Sequence, residues 1–225
     1  MIVFQNVTKS YGRRVALDDV TMTVDRNEFI FLVGPNGAGK STFLKMITLE
    51  ERPSKGLIIV GGVDTDTVSE SAIPAYRRRI GMVFQDTRLF ADRSVIENVS
   101  LPLRITGASG GEIRRSCENG LRTVGLDGFS NRNASELSGG ELRRVAIARA
   151  IVSKPEILLA DEPTDSLSPS AADKIMDLLL EISLTGVTTI VATHDRDAVD
   201  RLRRRVVRIE QGKIASDEFA GGFNG

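Results

Sequence analysis

The sequence predicts an α/β fold, with a mostly parallel sheet built around a phosphate-binding loop and a helical block inserted into it. Three observations predict this fold. Residues 34–41 read GPNGAGKS, which fits the pattern G-x-x-x-x-G-K-[S/T]. The apolar run 29–33 before the loop is typical of a buried parallel strand, and apolar residues recur at helical spacing after it. Further strand-like runs alternate with helical patterns along the chain, as in parallel α/β sheets.

The individual elements follow from periodicity and capping residues. Runs of β-branched and apolar residues predict four early strands, at 2–4, 20–24, 29–33 and 57–60. The part from 87 to 153 is predicted to be mainly helical, with helices over 95–99, 112–124 and 141–152 and a loop over 107–111. Two further apolar runs predict strands at 157–160 and 188–192, around a helix over 171–183. The last predicted element is a hairpin over 206–214, with its turn at Gln211-Gly212.

Composition and charge restrict the class of protein. A chain of 225 residues suits one large domain, or one domain that carries a subdomain. Thirty Lys and Arg residues balance thirty Asp and Glu residues, so direct nucleic-acid binding is not expected. Cys117 is the only cysteine, which fits a reducing compartment, and no apolar run reaches the ~18 residues of a membrane span. We therefore expect a cytoplasmic protein that reaches a membrane only through a partner.

The loop 34–41 is predicted to bind phosphates. A glycine-rich turn between a strand and a helix directs backbone N–H groups at an anion, and the helix dipole adds to the attraction. In this pattern Lys40 reaches the β- and γ-phosphates and the Ser41 hydroxyl binds Mg²⁺. The residues expected to hold the phosphates are Gly34, Pro35, Asn36, Gly37, Ala38, Gly39, Lys40, Ser41 and Thr42.

Polar residues lie at or just after the C-terminal ends of three apolar runs. Asp161 ends a buried strand, at the sheet edge where parallel α/β proteins bind ligands, and is predicted to bind Mg²⁺. Glu162 follows directly and is placed to accept a proton from an attacking water, although an acidic helix cap is an alternative for this pair. Gln85 ends another run and offers its amide to the metal or to water. His194, the only histidine, follows a third run where a γ-phosphate would lie, although a lone histidine is often structural.

Residues 137–141, Leu-Ser-Gly-Gly-Glu, open the predicted helix 141–152. Ser138 and Glu141 fit a capping box, which by itself explains the pattern. Gly139 and Gly140, however, leave backbone N–H groups unshielded at a positive helix end, which makes a second anion site. A single chain with one phosphate loop has no evident need for a second anion site, whereas a pair of chains would have a use for it.

These motifs occur in the order found in ABC-type ATPases, and the chain resembles that family over nearly its whole length. The resemblance implies a P-loop NTPase fold with a RecA-like sheet, an N-terminal antiparallel β-subdomain and an inserted α-helical subdomain. It also implies that the chain binds ATP and Mg²⁺, hydrolyses ATP, and pairs head to tail with a second copy across the two nucleotides. The matching residues are Tyr11, which would stack on adenine, then 34–41, Gln85, 137–141, 160–163 and His194.

The resemblance further implies domain limits and a partner. Residues 1–225 form one ABC ATPase domain, with a nucleotide-binding core and β-subdomain over 1–86 and 154–225 and a helical signature subdomain over 87–153. Within the family, 83–99 and 192–195 are most similar to ATPases that drive an FtsX-like membrane subunit in bacterial cell division and so control cell-wall hydrolases. LolD-type lipoprotein-release and MacB-type export ATPases are the alternatives. All imply a peripheral position on the cytoplasmic face of the bacterial inner membrane.

The chain departs from the family pattern in one loop and one helix. Ser168 stands where the family usually has an aspartate that contacts the other subunit, and Asp165 stands where glycine or serine is usual. The lost inter-subunit carboxylate raises a second hypothesis, a regulatory module that switches with nucleotide and turns over slowly. Residues 141–144 read Glu-Leu-Arg-Arg, where the family often has glutamines.

The segment 87–103 is predicted to receive the membrane partner. It follows Gln85 and carries an apolar set, Leu89, Phe90, Val95 and Ile96. We expect this set to be exposed and to accept a helix of the partner, although internal packing is an alternative for each of these residues. Two basic clusters, at 77–79 and 201–205, are either solvated faces or a means of attraction to anionic lipid.

Overall fold

The computed structural model of the chain describes residues 1–223, which form ten strands and seven α-helices. The strands are β1 (Ile2–Tyr11), β2 (Arg14–Val24), β3 (Phe29–Val33), β4 (Lys55–Val60), β5 (Val63–Asp64), β6 (Ile80–Val83), β7 (Ile157–Asp161), β8 (Thr188–Ala192), β9 (Arg205–Glu210) and β10 (Lys213–Glu218). The helices are α1 (Lys40–Ile47), α2 (Ile73–Arg77), α3 (Val95–Ile105), α4 (Gly110–Thr123), α5 (Gly139–Ile151), α6 (Pro169–Leu184) and α7 (Arg196–Leu202).

The strands form a six-stranded sheet and a four-stranded sheet. The larger sheet has the order β10-β9-β3-β8-β7-β6, and all its neighbours are parallel except the edge pair β9–β10. The smaller sheet, β2-β1-β4-β5, is antiparallel. Strand β3, which leads into the phosphate loop, lies inside the larger sheet, and all five of its residues are buried. The predicted parallel sheet, the N-terminal antiparallel sheet and the C-terminal hairpin are therefore confirmed.

Each face of the larger sheet packs against its own hydrophobic core. Successive side chains of β3 point alternately into one core and then into the other. Phe29, Phe31 and Val33 pack into a core shared with the central helices and α6. Ile30 and Leu32 point to the other face, into a core shared with the antiparallel sheet and α1. Because side chains alternate across a strand, burial on both faces requires an apolar residue at every position. This explains the continuous apolar run that identified the strand.

Helices α3, α4 and α5 lie between β6 and β7 in the chain and contact one another. Each begins with a capping box, in which a serine and the glutamate three residues later bond reciprocally: Ser94 with Glu97, Ser109 with Glu112, and Ser138 with Glu141. The loop predicted over 107–111 is therefore too long, because Ser109 starts α4 and places Gly110 and Gly111 in its first turn.

The prediction that an apolar set is exposed along 87–103 is mostly wrong. Val95 is completely buried, and Leu89 and Ile96 are partly buried against the core of the helical region. Only Phe90, at 55% exposure, presents its side chain to solvent. The capped helix α3 turns Val95 and Ile96 inward, which the apolar pattern by itself does not reveal. Within residues 1–223, none of the helices combines the length and apolarity needed to cross a bilayer.

An aromatic pair next to the phosphate loop joins helix α1 to the antiparallel sheet. Phe43 of α1 stacks on Phe4 of β1, with ring centroids 4.1 Å apart and planes inclined by 10°, and both rings are almost fully buried. We expect Phe43→Ala to lower the free energy of unfolding by about 3–5 kcal/mol, because it removes a buried ring and leaves a cavity. Urea unfolding followed by circular dichroism measures this change. Phe219→Ala, at a side chain that is 79% exposed, is the control and should cost about 1 kcal/mol or less; equal losses would contradict the role of the stack.

Candidate nucleotide-binding site

A cleft of about 690 Å³ opens at the carboxyl ends of the parallel strands. It is lined by residues from the phosphate loop, the antiparallel sheet and the loops after β6, β7 and β8. The predicted site residues that line it are Tyr11, Asn36, Gly37, Gly39, Lys40, Ser41, Thr42, Gln85, Glu162 and His194. The fold therefore brings together, at one sheet edge, residues that lie up to 183 positions apart in the chain (Tyr11 and His194).

The phosphate loop depends on two glycines that no other residue can replace. Gly39 has a φ of 117°, and a Cβ there would lie 2.5 Å from the Ala16 carbonyl oxygen. Gly34 has a φ of 149°, and a Cβ there would lie 2.1 Å from the Ile209 carbonyl oxygen. Helix α1 starts directly after Gly39, and none of the side chains in residues 1–223 caps its first turn. Its N–H groups are therefore available to an anion at the positive end of the helix dipole.

Lys40 and Glu162 form a buried ion pair beneath this loop. The Lys40 ammonium, 6% exposed, lies 3.3 Å from Glu162 Oε1 and donates to the carbonyl oxygen of Gly34 at 2.9 Å. The other carboxylate oxygen of Glu162 lies 2.7 Å from Nδ1 of His194 and accepts the backbone N–H of His194 at 3.2 Å. Because an ionised carboxylate only accepts hydrogen bonds, Nδ1 carries the proton in this pair. The predicted base and the predicted histidine are thus in direct contact.

Glu162 is held at the sheet edge by its backbone. Its φ is 47°, in the left-handed region, which non-glycine residues seldom adopt and which is often found at functional sites. Its N–H donates to the carbonyl oxygen of Ala192 at 2.8 Å, so the end of β7 is tied to the end of β8. This bond places the Glu162 side chain beside His194, two residues after Ala192.

Asp161 is partly buried next to Glu162, and one of its oxygens is unpaired. Its Oδ1 is inaccessible to solvent and meets no hydrogen-bond partner within residues 1–223. Burial raises the pKa of this carboxyl, while the Ser41 hydroxyl acts in the opposite direction. A buried carboxylate oxygen without a donor is costly unless a cation compensates it. The oxygen donors of Asp161, Ser41 and Gln85 are of the kind that Mg²⁺ prefers, so these residues fit the ion.

Cationic residues that the sequence analysis did not single out also line the cleft. Arg14 approaches the loop, with a terminal nitrogen 3.4 Å from the position of a Cβ on Gly37, and Lys45 lies on α1. Lys45 follows Ser41 by one helical turn, a spacing that indicates the same helix face. At the rim, the Tyr11 ring is 41% exposed and the Lys9 ammonium lies 4.9 Å from its centroid.

The loop between β6 and α3 is anchored by contacts that sequence reasoning also missed. Arg143 of α5 donates to the carbonyl oxygens of Phe84 and Gln85 at 2.7 and 2.9 Å. The Gln85 amide Nε2 donates to Asp165 Oδ2 at 3.3 Å. Arg143 was visible in the sequence, but its partners are backbone atoms, which leave no trace in side-chain patterns.

Ser138, Gly139 and Gly140 lie outside this cleft and line a separate one of about 380 Å³. The second cleft also contains Leu167, Ser168 and Lys174. The Ser138 hydroxyl donates to Glu141 Oε2 at 2.6 Å and accepts the Glu141 N–H at 3.4 Å, so the capping box is formed. The three residues therefore do not line the cleft that contains Lys40 of the same chain, which agrees with the expectation that they serve a second copy.

Comparisons with known proteins agree with this geometry. The model of the ABC transporter family matches residues 17–165. The cell division ATP-binding protein FtsE of Mycobacterium tuberculosis is 45% identical over 223 residues, which cover 98% of this chain and 97% of the relative. FtsE of Bacillus subtilis is 42% identical, covering 99% and 98%.

Solved structures give the same result. The dimeric ATP-binding cassette MJ0796, in a post-hydrolysis state bound to ADP and Pi, superposes with a TM-score of 0.89 at 35% identity, covering 99% of this chain and 100% of that one. The cbiO1 protein from Clostridium perfringens, part of the ABC transporter complex cbiONQ, gives a TM-score of 0.90 at 32% identity, covering 97% and 88%. The chain is therefore an ATP-binding enzyme, an ATPase that belongs to the ABC transporter family.

Proposed function

We propose that the chain is the ATP-hydrolysing subunit of a bacterial cell-division assembly, that it dimerises on ATP, and that it drives an FtsX-like membrane subunit which controls cell-wall hydrolases. The cell-division role is supported by the identity of 40–45% with FtsE proteins over 95% or more of the chain. Hydrolysis by this site is supported by one observation above all, the Glu162 carboxylate held between Lys40 and His194 at the phosphate loop. LolD- and MacB-type ATPases are the alternatives within the family.

In this proposal ATP binding reorganises Lys40. The ammonium has three oxygen neighbours in the structure, the carbonyls of Gly34 and Pro35 and the carboxylate of Glu162. The β- and γ-phosphates would offer it a stronger, charge-assisted set of acceptors. When Lys40 turns to the phosphates, Glu162 Oε1 loses its cation and becomes free to accept a proton. ATP binding thus frees the carboxylate that acts as the general base in its hydrolysis.

The hydrolytic step then follows from the positions of Glu162 and His194. A water oxygen attacks the γ-phosphorus as its proton passes to the Glu162 carboxylate, and the bond from phosphorus to the bridging oxygen breaks with its electron pair leaving on ADP. His194 holds the other Glu162 oxygen and so fixes the direction of the base. Asp161, Ser41 and Gln85 would hold Mg²⁺, which when bound neutralises charge on the phosphates.

A second copy of the chain completes the site in this proposal. The cleft of Ser138, Gly139 and Gly140 is lined by residues 166–168 of the loop that follows Glu162. In a head-to-tail dimer these helix N–H groups would face the γ-phosphate held by the partner copy. The membrane partner would keep the dimer on the cytoplasmic face of the inner membrane.

One observation favours a second candidate, a nucleotide-dependent switch with little turnover. Ser168 replaces the aspartate that usually contacts the other subunit, and its shorter hydroxyl carries no charge. A weaker contact between the two nucleotide sites of the dimer would slow the cycle of ATP hydrolysis. The switch and the hydrolase differ in one measurable quantity, the steady-state rate of phosphate release at raised protein concentration.

We expect Glu162→Gln to lower steady-state phosphate release by about 100-fold or more, because the amide cannot act as a general base. ATP binding should persist, and an ATP-bound dimer should accumulate in light scattering. Glu156→Gln is the matched control. Glu156 directly precedes β7, whereas Glu162 directly follows it, and the Glu156 side chain forms an exposed pair with Arg79 away from the cleft. A wild-type rate no higher than that of Glu162→Gln would favour the switch instead.

We expect Lys40→Ala to weaken ATP binding by about 10- to 100-fold, the equivalent of one hydrogen bond to a charged group. Titration calorimetry in the presence of Mg²⁺ measures the affinity. Lys55→Ala on strand β4, at an exposed side chain outside the cleft, controls for the loss of a positive charge. Unchanged affinity in Lys40→Ala would remove the phosphate loop from the proposal.

In this proposal the membrane partner docks in an apolar groove. It has a volume of about 360 Å³ and lies between β6, α2, α3 and α5. Its apolar lining includes Pro74, Ile80, Met82, Pro102 and Ile105, and its cationic rim includes Arg77, Arg78 and Arg149. This chemistry fits an amphipathic helix whose apolar face is flanked by acidic residues. In this proposal the docking surface is the side of α3 that carries Ile105, rather than the region of Leu89.

We expect Ile105→Glu to abolish recruitment to membranes that contain the FtsX-like subunit while ATP binding persists, because it places a carboxylate in the apolar groove. Co-sedimentation with membrane vesicles that contain or lack the subunit measures recruitment. Leu184→Glu is the matched control, since Leu184 is 73% exposed at the end of α6 and Ile105 is 76% exposed at the end of α3. Recruitment that survives Ile105→Glu would place the docking site elsewhere.

A further inference from the structure

We infer that Asp165 is a positioning residue for the metal site, because its carboxylate holds the Gln85 amide by a hydrogen bond and thereby presents the amide oxygen to the cation. The inference rests on the proposed function, in which Gln85 contributes an oxygen to Mg²⁺. It goes further by assigning a role to a residue at which the chain departs from the family pattern, where glycine or serine is usual.

The contact itself joins two walls of the nucleotide cleft. Gln85 follows β6 and Asp165 follows Glu162, and both side chains line the cleft with Lys40 and Ser41. Gln85 Nε2 donates to Asp165 Oδ2 at 3.3 Å. An amide has donors on its nitrogen and acceptors on its oxygen, so a partner that occupies the nitrogen decides which end is left for a ligand. A carboxylate can only select the nitrogen.

The backbone beneath the amide is fixed as well. The Arg143 guanidinium is 5% exposed and donates to the carbonyl oxygens of Phe84 and Gln85. Burial lowers the pKa of Arg143, and the Asp165 carboxylate is the largest influence in the opposite direction. Arg143 thus fixes the backbone of the Gln85 loop, while Asp165 contacts its side chain. Glycine or serine at 165, the residues that the family pattern favours, would remove the Asp165 carboxylate.

This arrangement has a consequence for metal binding. Groups that orient a ligand typically change metal affinity by about 10- to 100-fold when they are removed. A free Gln85 side chain has to lose its rotational freedom each time it binds the ion, whereas a side chain held by Asp165 has already lost part of it. Asp165 should thus favour the metal-bound state without touching the metal.

The test measures Mn²⁺ as a spectroscopic probe for Mg²⁺, by electron paramagnetic resonance, in protein that carries a non-hydrolysable ATP analogue. Asp165→Ala should raise the Mn²⁺ dissociation constant by about tenfold, whereas Asp165→Asn, which keeps an acceptor oxygen, should stay within about twofold of the wild type. Asp86→Ala is the matched control, because Asp86 is an exposed carboxylate on the same loop that also faces Arg143 but bonds to the Arg88 N–H instead of Gln85. Affinity for the analogue in EDTA should be equal in all variants.

A double-mutant comparison separates positioning from other roles. If Asp165 acts through Gln85, Asp165→Ala adds no further loss of Mn²⁺ affinity to Gln85→Ala. Additive losses, a loss in Asp165→Asn equal to that in Asp165→Ala, or wild-type affinity in Asp165→Ala would each overturn the inference while leaving the proposed function intact. Wild-type Mn²⁺ affinity in Gln85→Ala would overturn the inference together with the proposed metal site.

Discussion

The Lys40 ammonium is the charge on which the rest of the site depends. It is almost completely buried, and a buried charge is tolerated only when it is paired and hydrogen-bonded. Its partners are a carbonyl of its own loop, which Gly34 and Gly39 allow to fold tightly, and the Glu162 carboxylate, which the bond to Ala192 fixes at the sheet edge. Glu162 in turn holds His194. One ion pair therefore links the phosphate loop, the end of β7 and the end of β8.

The sheet explains why these groups meet. Strands β3, β7 and β8 are parallel neighbours, so their carboxyl ends share one edge, and their side chains are buried on both faces. The two cores leave no freedom for these strands to shift, because a slip of one residue exchanges the faces of β3. The Phe4–Phe43 stack extends this rigidity to α1. The lysine and the carboxylates are thus positioned by apolar packing that lies outside the cleft.

The parts that the sequence predicts well are those with a local signal. Apolar runs such as 29–33 identify buried strands, and serine–glutamate spacings mark helix starts. Strands β1 and β2 are longer than predicted, because their outer residues, such as Lys9 and Ser10, are polar and only the pairing between the strands extends them. Val95 was expected to be exposed but is buried. An apolar residue on a half-buried helix indicates an apolar face, but it does not show which element covers that face. Arg143 could not be predicted at all, since its acceptors are backbone carbonyls 58 and 59 residues away.

Helix α5 connects two regions of the proposed mechanism, the dimer contact at its N-terminus and the apolar groove. Its N-terminus carries Gly139 and Gly140, which in the proposed dimer meet the partner's nucleotide, and its thirteen residues span about 20 Å. Along that length Arg143 holds the carbonyls of Phe84 and Gln85, and Arg149 holds those of Thr87 and Arg88 at 2.6 Å. Arg149 also lines the apolar groove. A displacement of α5 on dimer closure would therefore move the loop that contains Gln85 and the wall of the groove together. In this proposal Arg143 and Arg149 supply the mechanical link that the sequence motifs, taken one at a time, leave out.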